Sequence, residues 1–385
     1  MSSTIDITVV AIAVISTLFA LGFPLLLAGP LTWAERRQSA YMQDRIGPNR
    51  ASIMLAGKEI RAFGLLSPLA DVIKLITKED TIHHQVDKFL YNLAPLVSLF
   101  PALVTFAIIP FGPDLMSAAG SVALAPFADG SVPGADLLRY PLQAARVDIG
   151  ILYIFAMSSL AVFGVTLAGY ASTNKFAMLG GLRASAQMIS YEVTLGLSVL
   201  GLVMAFQTLE PASMVYQQGH LLWGIIPKWG ILIQPIGFLV FMTAATAENK
   251  RVPFDLAEGE SEIIGYFIEY SGMKFGMFFM AEYIEVVVIG GVVTTLFLGG
   301  WQIPFLFSDG FHLPGGVMLA MSQWVVTGLC VLSFILKVLF MCWFQLTIRW
   351  SLPRFRYDQV MWLGWRVLLP LSLFNLLVTG WVILS

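Results

Sequence analysis

Cysteine is nearly absent from this chain of 385 residues. Only Cys330 and Cys342 occur, and both lie in one apolar run. They can build neither a disulfide framework nor an iron–sulfur site. Histidine is also sparse, and of the four histidines only His83 and His84 are neighbours. Because adjacent residues do not share a helix face, the pattern gives little support for a metal site.

The sequence also lacks the fingerprints of nucleotide binding. It contains no Walker-A glycine loop and no Rossmann glycine pattern after a strand, so this chain is not expected to bind a nucleotide. No basic tract suggests nucleic acid, and the formal net charge is −2. The first apolar stretch has no basic segment before it and no small-residue cleavage site after it, which predicts a retained helix instead of a signal peptide.

Charge itself is scarce, at 12% of the residues, whereas hydrophobic residues make up 57% and the mean hydropathy is +0.79. Soluble domains carry about 25% charged residues. The composition therefore predicts an all-α, polytopic membrane protein, a single bundle over residues 1–385. A spanning helix needs about 20 apolar residues. Eight segments qualify: Ile7–Trp33, Phe89–Phe111, Ile149–Ala171, Ala184–Phe206, Leu222–Ala247, Phe275–Gly299, Val317–Thr347 and Val360–Leu384.

Lysine and arginine predict the orientation of these spans, because cytoplasmic loops carry the excess of positive residues. The odd-numbered loops hold Arg36, Arg37, Arg45, Arg50, Lys58, Arg61, Lys74, Lys78, Lys88, Lys175, Arg183, Lys250, Arg251, Lys274, Arg349, Arg354, Arg356 and Arg366. The opposite loops hold only Arg139, Arg146 and Lys228. With eight spans, both termini are expected on the periplasmic side.

The first cytoplasmic loop, residues 34–88, contains an amphipathic segment. Ser67-Pro68 predicts an N-cap followed by a proline in the first helical position. Apolar residues then recur at helical spacing over about residues 68–78, with charged residues on the other side. Such a helix is too short and too charged to span, so it is expected to lie in the membrane interface, either as a plain anchor or as the wall of a site.

An acidic segment, residues 247–270, stands between two long apolar runs. Only Lys250 and Arg251 oppose its acids. Pro253 ends any helix arriving from the preceding span, and Gly259 loosens the backbone. The plain alternative is a solvated acidic loop, but the apolar setting favours a functional one. Its six acids are Glu248, Asp255, Glu258, Glu260, Glu262 and Glu269.

Charged residues inside the predicted spans are the next signal: Glu192, Glu248, Glu282, Glu285 and Lys337. A charge at mid-helix costs about 2.5–3.5 kcal/mol on insertion scales, so it normally faces a cavity or a partner. Glu282 and Glu285 are three residues apart and should share a helix face. Lys337 is expected to pair with a glutamate. The set is either a static group of ion pairs or a proton path, and its excess of carboxylates favours the path.

Several longer stretches resemble one protein family throughout. They are Glu35–Arg50, Leu69–Asp80, Gly169–Leu197, the AENKRVPFDLAEGESE segment, Glu269–Tyr283 and Arg349–Pro370. In this order they resemble the H subunits of proton-translocating NADH:quinone oxidoreductase, respiratory complex I, and cover nearly the whole chain. The resemblance implies a multi-pass subunit of a bacterial inner membrane that forms the membrane wall of a quinone chamber.

The resemblance also implies roles for particular residues. Positions at the chamber or its loop are Arg36, Arg45, Asp71, Arg251, Phe254, Asp255, Glu258, Glu260 and Glu262. Glu192, Glu248 and Glu282 match a carboxylate path toward antiporter-like membrane subunits. Peripheral subunits would close the chamber and carry the flavin and iron–sulfur clusters, so this chain itself is expected to bind no cofactor and to take quinone as substrate.

The sequence departs from the family pattern in four places. The link over residues 50–63 is longer than usual, His83-His84 follows the Lys-Glu-Asp motif, Glu285 is an additional acid, and Val252 stands within the Arg-x-Pro-Phe-Asp motif. Two other functions stay open at this point: the membrane anchor of an energy-converting hydrogenase or related dehydrogenase, and a stand-alone proton-coupled transporter.

Overall fold

The structure, a computed structural model, describes residues 7–55, 58–118, 121–124, 138–222, 226–257, 259, 265–313 and 317–385. Its helices are α1 (Ile7–Met42), α2 (Leu66–Thr77), α3 (Lys88–Thr105), α4 (Gly150–Ala171), α5 (Lys175–Phe206), α6 (Pro211–Gln218), α7 (Gly230–Ile233), α8 (Pro235–Glu248), α9 (Gly272–Phe297), α10 (Gln323–Ser351), α11 (Tyr357–Trp362) and α12 (Leu369–Leu384). A π-helical stretch, Leu363–Leu368, joins α11 to α12 without a break.

Short strands occupy the connections between helices. They are β1 (Ile53–Leu55), β2 (Lys58–Ile60), β3 (Leu115–Ala118), β4 (Ser121–Leu124), β5 (Leu138–Tyr140), β6 (Leu221–Leu222), β7 (Ile226–Pro227), β8 (Leu306–Phe307), β9 (Gly310–Leu313) and β10 (Val317–Ala320). All pair antiparallel, in the orders β1-β2, β4-β3-β5, β6-β7 and β10-β9-β8. The hairpin β1-β2 lies in the long link over residues 50–63.

The helical membrane bundle predicted from composition is confirmed, with seven helices in the described ranges long and apolar enough to cross a membrane. The count of eight is not confirmed. The fifth predicted span, Leu222–Ala247, is divided into a strand pair, the single turn α7 and the 14-residue α8. At 1.5 Å per residue α8 is about 21 Å long, shorter than a hydrocarbon core of about 30 Å.

The amphipathic helix forms close to its predicted position, but its start differs. Helix α2 begins at Leu66, so Ser67 lies inside the first turn and is not the N-cap; its hydroxyl donates to the Gly64 carbonyl oxygen at 2.8 Å. The packing of α2 explains its pattern. One side rests on α1 and α9, while Leu69, Ile73 and Ile76 are exposed, as an interfacial helix requires.

Helix α9 is the centre of the bundle. It packs against α1, α2, α3, α8 and α10, and most of its apolar window is buried within the chain. The outer helices α1 and α12 instead expose large apolar side chains such as Leu26 and Leu377. A bundle in lipid has this distribution, because its outer surface is solvated by acyl chains. Polar side chains of α9 therefore sit where the bundle can enclose them.

Candidate functional site

An apolar cavity of about 60 Å³ lies between α1, α2 and α9, and we call it the α1–α2–α9 cavity. Its lining consists of Ala28, Gly29, Thr32, Pro68, Asp71, Val72, Leu75, Met273, Gly276, Phe279, Met280 and Tyr283. Asp71, which the resemblance assigns to the chamber, is thus part of the wall of this cavity. Arg36 pairs with Asp71 at 2.7 Å, linking α1 to α2 beside the cavity, and both side chains are about half exposed.

Glu35 is the centre of a buried charge cluster beside this cavity. One carboxylate oxygen accepts from Arg251 Nη1 at 3.1 Å and from the Tyr283 hydroxyl at 2.9 Å. The other oxygen pairs with Arg349 Nη1 at 2.9 Å. The Arg251 guanidinium lies 4.2 Å from the centre of the Tyr283 ring. Tyr283 lines the cavity and also contacts Glu35, so it joins the cavity to the charges.

The first part of the acidic loop is held by α5 and by the segment after α10. Gln187 on α5 donates through Nε2 to the carbonyl oxygens of Ala247 and Phe254, at 2.7 and 2.8 Å. The Phe254 ring is buried beside Tyr191 and stacks on Phe355. Phe254 is therefore seated in the core and does not line the α1–α2–α9 cavity.

Two other predicted chamber residues, Asp255 and Arg45, do not line the cavity. Asp255 is buried and pairs with Arg354 at 2.7 Å, away from the cavity lining. Arg45 donates to the Gln43 carboxamide oxygen at 2.7 Å beyond the end of α1 and does not line the cavity either. Glu258, Glu260 and Glu262 lie outside the described residues, so their assignment to the chamber stays a prediction.

The last part of the loop provides a second buried contact. The Lys250 ammonium is buried 5.2 Å from the centre of the Tyr266 ring, and the Tyr266 hydroxyl donates to Glu282 at 3.2 Å. Nearby, Tyr270 stacks on Tyr91 with ring centroids 4.1 Å apart. Burial, and then the neighbouring Tyr91, raise the pKa of Tyr270 above its usual range, so it is a neutral hydroxyl at physiological pH.

Two of the predicted carboxylates meet in a second cavity. Glu248 at the end of α8 and Glu285 on α9 line a space of about 70 Å³ together with Ser158 and Asn249, and we call it the Glu248–Glu285 cavity. Glu285 is three residues from Glu282, yet the two side chains reach different surroundings. Glu282 contacts Tyr266 in the loop, whereas Glu285 faces this cavity.

Glu192 on α5 does not line the Glu248–Glu285 cavity but lies in a neighbouring groove. It is half-buried and accepts a hydrogen bond from the hydroxyl of Ser159, the residue next to Ser158. Around it, apolar residues of α4 and α5 form an open groove of about 580 Å³. Of these two adjacent serines of α4, Ser158 thus lines the cavity and Ser159 contacts Glu192.

The chain is similar in sequence to known proteins over almost its full length. A family model described as NADH dehydrogenase matches residues 13–380. The chain belongs to this family.

Three relatives match nearly the whole chain. The chain is 43% identical over 361 residues to an NADH-quinone oxidoreductase H subunit of Geobacter sulfurreducens, covering 94% of this chain and 93% of the relative. It is 40% identical to an H subunit of the same enzyme from Cytophaga hutchinsonii, covering 92% and 91%. With an H subunit from Rhizobium meliloti the identity is 38%, covering 97% and 98%. The resemblance found in the sequence motifs is confirmed.

Lys337 has a different environment from the buried glutamates. The prediction that it pairs with a glutamate is wrong. Its ammonium donates to the carbonyl oxygens of Leu298, Gly300 and Gln302, at 2.8, 3.0 and 2.6 Å, just beyond α9. Trp229 covers it with a ring 4.7 Å away. Carbonyl groups at a helix C-terminus attract a cation. Lys337 therefore caps the C-terminal end of α9, whereas Glu282 and Glu285 lie near the middle of that helix.

Sequence reasoning missed the residue that organises the buried charges of this NADH dehydrogenase family member. In the sequence analysis Glu35 is only the first residue of the Glu35–Arg50 stretch, and no role is predicted for Tyr283 or Arg349. A weak signal is present, because an acid directly before Arg36-Arg37 ends a long apolar run. The partners of Glu35 come from three separate parts of the chain, and only packing brings them together.

Proposed function

We propose that this chain is the membrane subunit of an NADH-quinone oxidoreductase, that it forms the membrane wall of the quinone-binding chamber, and that its buried charges couple quinone reduction to a proton path. One observation carries the proposal: Tyr283 lines the apolar α1–α2–α9 cavity and donates to Glu35. A site for a lipid-soluble acceptor is thereby in direct contact with buried charges. The names of the relatives support the same enzyme.

The two parts of the cavity suit the two parts of a quinone. Its lining is almost wholly apolar and suits an isoprenoid chain. The Asp71–Arg36 pair and the Tyr283 hydroxyl supply the polar groups beside it. Reduction of a quinone to a quinol takes two electrons and two protons. In this proposal the electrons arrive from iron–sulfur clusters and a flavin held by partner subunits. This chain binds the quinone, and its buried charged groups respond to the change of charge on the quinone.

In this proposal the proton path runs from the cavity through three groups of charged and hydroxyl side chains. The first is Tyr283 with Glu35 and Arg251. The second joins Lys250, Tyr266 and Glu282, and the third joins Glu285, Glu248 and Ser158, with Ser159 and Glu192 beyond it. At low dielectric constant a change of charge at one group is felt strongly by the next. A proton taken up during quinone reduction would therefore bias the occupancy of each following carboxylate.

The proposed function requires partner subunits. Peripheral subunits would cover the cytoplasmic side of the acidic loop and close the chamber. Other membrane subunits, including antiporter-like ones, would continue the path beyond Glu192. The helices support a multi-pass membrane protein, and we propose the inner membrane of a bacterium with both termini on the periplasmic side.

Photoaffinity labelling of the assembled enzyme tests the proposal. The complex is purified with its native subunits, and an azido-quinone is cross-linked during turnover with NADH. Labelled peptides are expected from α1, α2 or α9 around Thr32, Asp71 and Tyr283, and labelling should fall when unmodified quinone competes. A purified assembly that oxidises no NADH, or that carries nickel, would instead favour the transporter or the hydrogenase anchor.

A further inference from the structure

We propose that Gly29 sets the width of the passage through which the isoprenoid chain of the quinone extends, and so determines which quinone tails the enzyme accepts. This inference rests on the proposed quinone chamber and names a specificity-determining residue within it. Among the twelve residues that line the α1–α2–α9 cavity, the smallest are Ala28 and Gly29 on α1 and Gly276 on α9. Large residues such as Phe279 and Met280 line the same space.

The direction of Gly29 follows from its place in the cavity wall. Gly29 lines the α1–α2–α9 cavity beside Ala28 and Thr32 of α1, and α2 supplies the facing wall through Pro68, Asp71 and Val72. Further along α1, Arg36 reaches across to Asp71 on α2. A side chain at position 29 would therefore extend into the cavity.

Space is available at that point. Apart from its chain neighbours and the nearby backbone of α1, a Cβ atom built on Gly29 has no heavy atom within 4 Å, whereas one built on Gly276 would come within 3.1 Å of the Leu75 side chain of α2. Gly276 thus lets α2 approach α9 closely. Gly29 leaves free space along the α1 wall of the cavity. The missing side chain at position 29 is unfilled volume along an apolar passage, which a methyl-branched chain can occupy.

The position of Gly29 assigns it to the tail and not to the headgroup. Seven residues at 1.5 Å each place it about 10 Å along α1 from Arg36, toward the middle of the membrane. The polar groups Arg36, Asp71 and Tyr283 mark the end of the cavity that suits the quinone head. Bulk at position 29 should consequently affect quinones with long branched tails and spare quinones without a tail.

The experiment uses the series Gly29→Ala, Gly29→Val and Gly29→Leu in the complete enzyme. KM and kcat are measured for three quinones with the same head: one without a tail, one with an unbranched decyl tail and one with an isoprenoid tail. Gly22→Leu is the matched control. It lies seven residues before Gly29 on α1, also has open space around its Cβ, and lines none of the cavities described above. Leucine favours helix more than glycine, so both variants should fold.

We expect KM for the isoprenoid quinone to rise with side-chain size, by roughly tenfold for Gly29→Leu. The rise should be smaller for the decyl quinone and absent for the tail-free one, with kcat unchanged, and Gly22→Leu should resemble the unmodified enzyme. Equal KM changes for all three quinones, or none, would overturn the inference. Azido-quinone labelling of the unmodified enzyme separates the two proposals: labelling at α1 or α9 with a flat Gly29 series rejects only the role of Gly29, whereas no labelling of this chain rejects the chamber itself.

Discussion

At the scale of single residues, Glu35 balances two guanidinium groups with one carboxylate inside the bundle. Arg251 belongs to the acidic loop and Arg349 to the end of α10, and both pair with Glu35 on α1. Removing one partner of a buried ion pair costs about 3–5 kcal/mol, because the remaining charge is left uncompensated. The acidic loop is therefore held in place by a charge on a helix distant in sequence.

Glu35→Gln should lower quinone reduction at least tenfold, because two buried cations lose their counter-charge and the loop loses its anchor. NADH oxidation with a water-soluble acceptor measures whether the complex is still assembled and should be retained. Glu59→Gln is the control, since Glu59 is exposed and pairs with Arg61, two residues away in the first loop; such surface pairs contribute about 0–1 kcal/mol. Equal, small effects of the two substitutions would contradict the role of Glu35.

Lys337→Met should destabilise the assembled enzyme without changing the number of protons moved per electron. The substitution leaves three carbonyl groups beyond α9 without their donor, each at a cost of about 1–3 kcal/mol if no water replaces it. The check is a thermal inactivation curve combined with a proton-to-electron ratio. Leu336→Met, at an exposed neighbouring position, serves as the control. A lower proton ratio at unchanged stability would place Lys337 in the proton path instead.

At the residue scale, sequence reasoning can find a charge that interrupts an apolar run. It selected Glu248 and Glu285, which the fold brings into one cavity. It failed where the partner is a backbone group, as for Lys337, because carbonyl groups freed at a helix end leave no trace in the residue pattern. It also passed over Glu35, whose importance depends on three contacts between distant segments.

At the scale of elements, periodicity predicted α2 to within two residues at either end because one face of that helix packs and the other stays exposed. Hydropathy alone predicted the fifth span as one unbroken helix. Pro227 and Pro235 lie inside it, and proline lacks the amide hydrogen that continues a helix. The chain accordingly breaks around Gln234 into α7 and α8, although its average composition matches that of an unbroken span.

The junction between α8 and the acidic loop depends on one side chain of α5. Gln187→Leu would leave the buried carbonyl oxygens of Ala247 and Phe254 without a donor, at about 1–3 kcal/mol each. We expect a lower midpoint of thermal inactivation and reduced quinone activity. Ser185→Ala, two residues earlier, removes only a hydroxyl bonded within α5 and should leave both unchanged. A loss in Ser185→Ala as large as in Gln187→Leu would contradict this explanation.

At the scale of the whole molecule, the number of crossings decides where the termini lie. Seven crossings would put them on opposite sides, whereas an eighth, made by α7 and α8 together, would put them on the same side. The Lys and Arg distribution predicts that both termini are periplasmic. Tags at the two ends, probed with a protease in right-side-out and inverted membrane vesicles, test this: both should be cleaved only from the periplasmic side. Cleavage from opposite sides would exclude α7–α8 as a crossing.

The central claim is that the buried carboxylates carry protons released or taken up as a consequence of quinone reduction. The most direct measurement is the proton-to-electron ratio in sealed vesicles containing the Glu192→Gln and Glu282→Gln variants, which remove a proton-binding group while keeping side-chain shape. Both variants should lower this ratio or the coupled quinone activity severalfold, while NADH oxidation with a water-soluble acceptor persists. Normal proton translocation in both variants would contradict it.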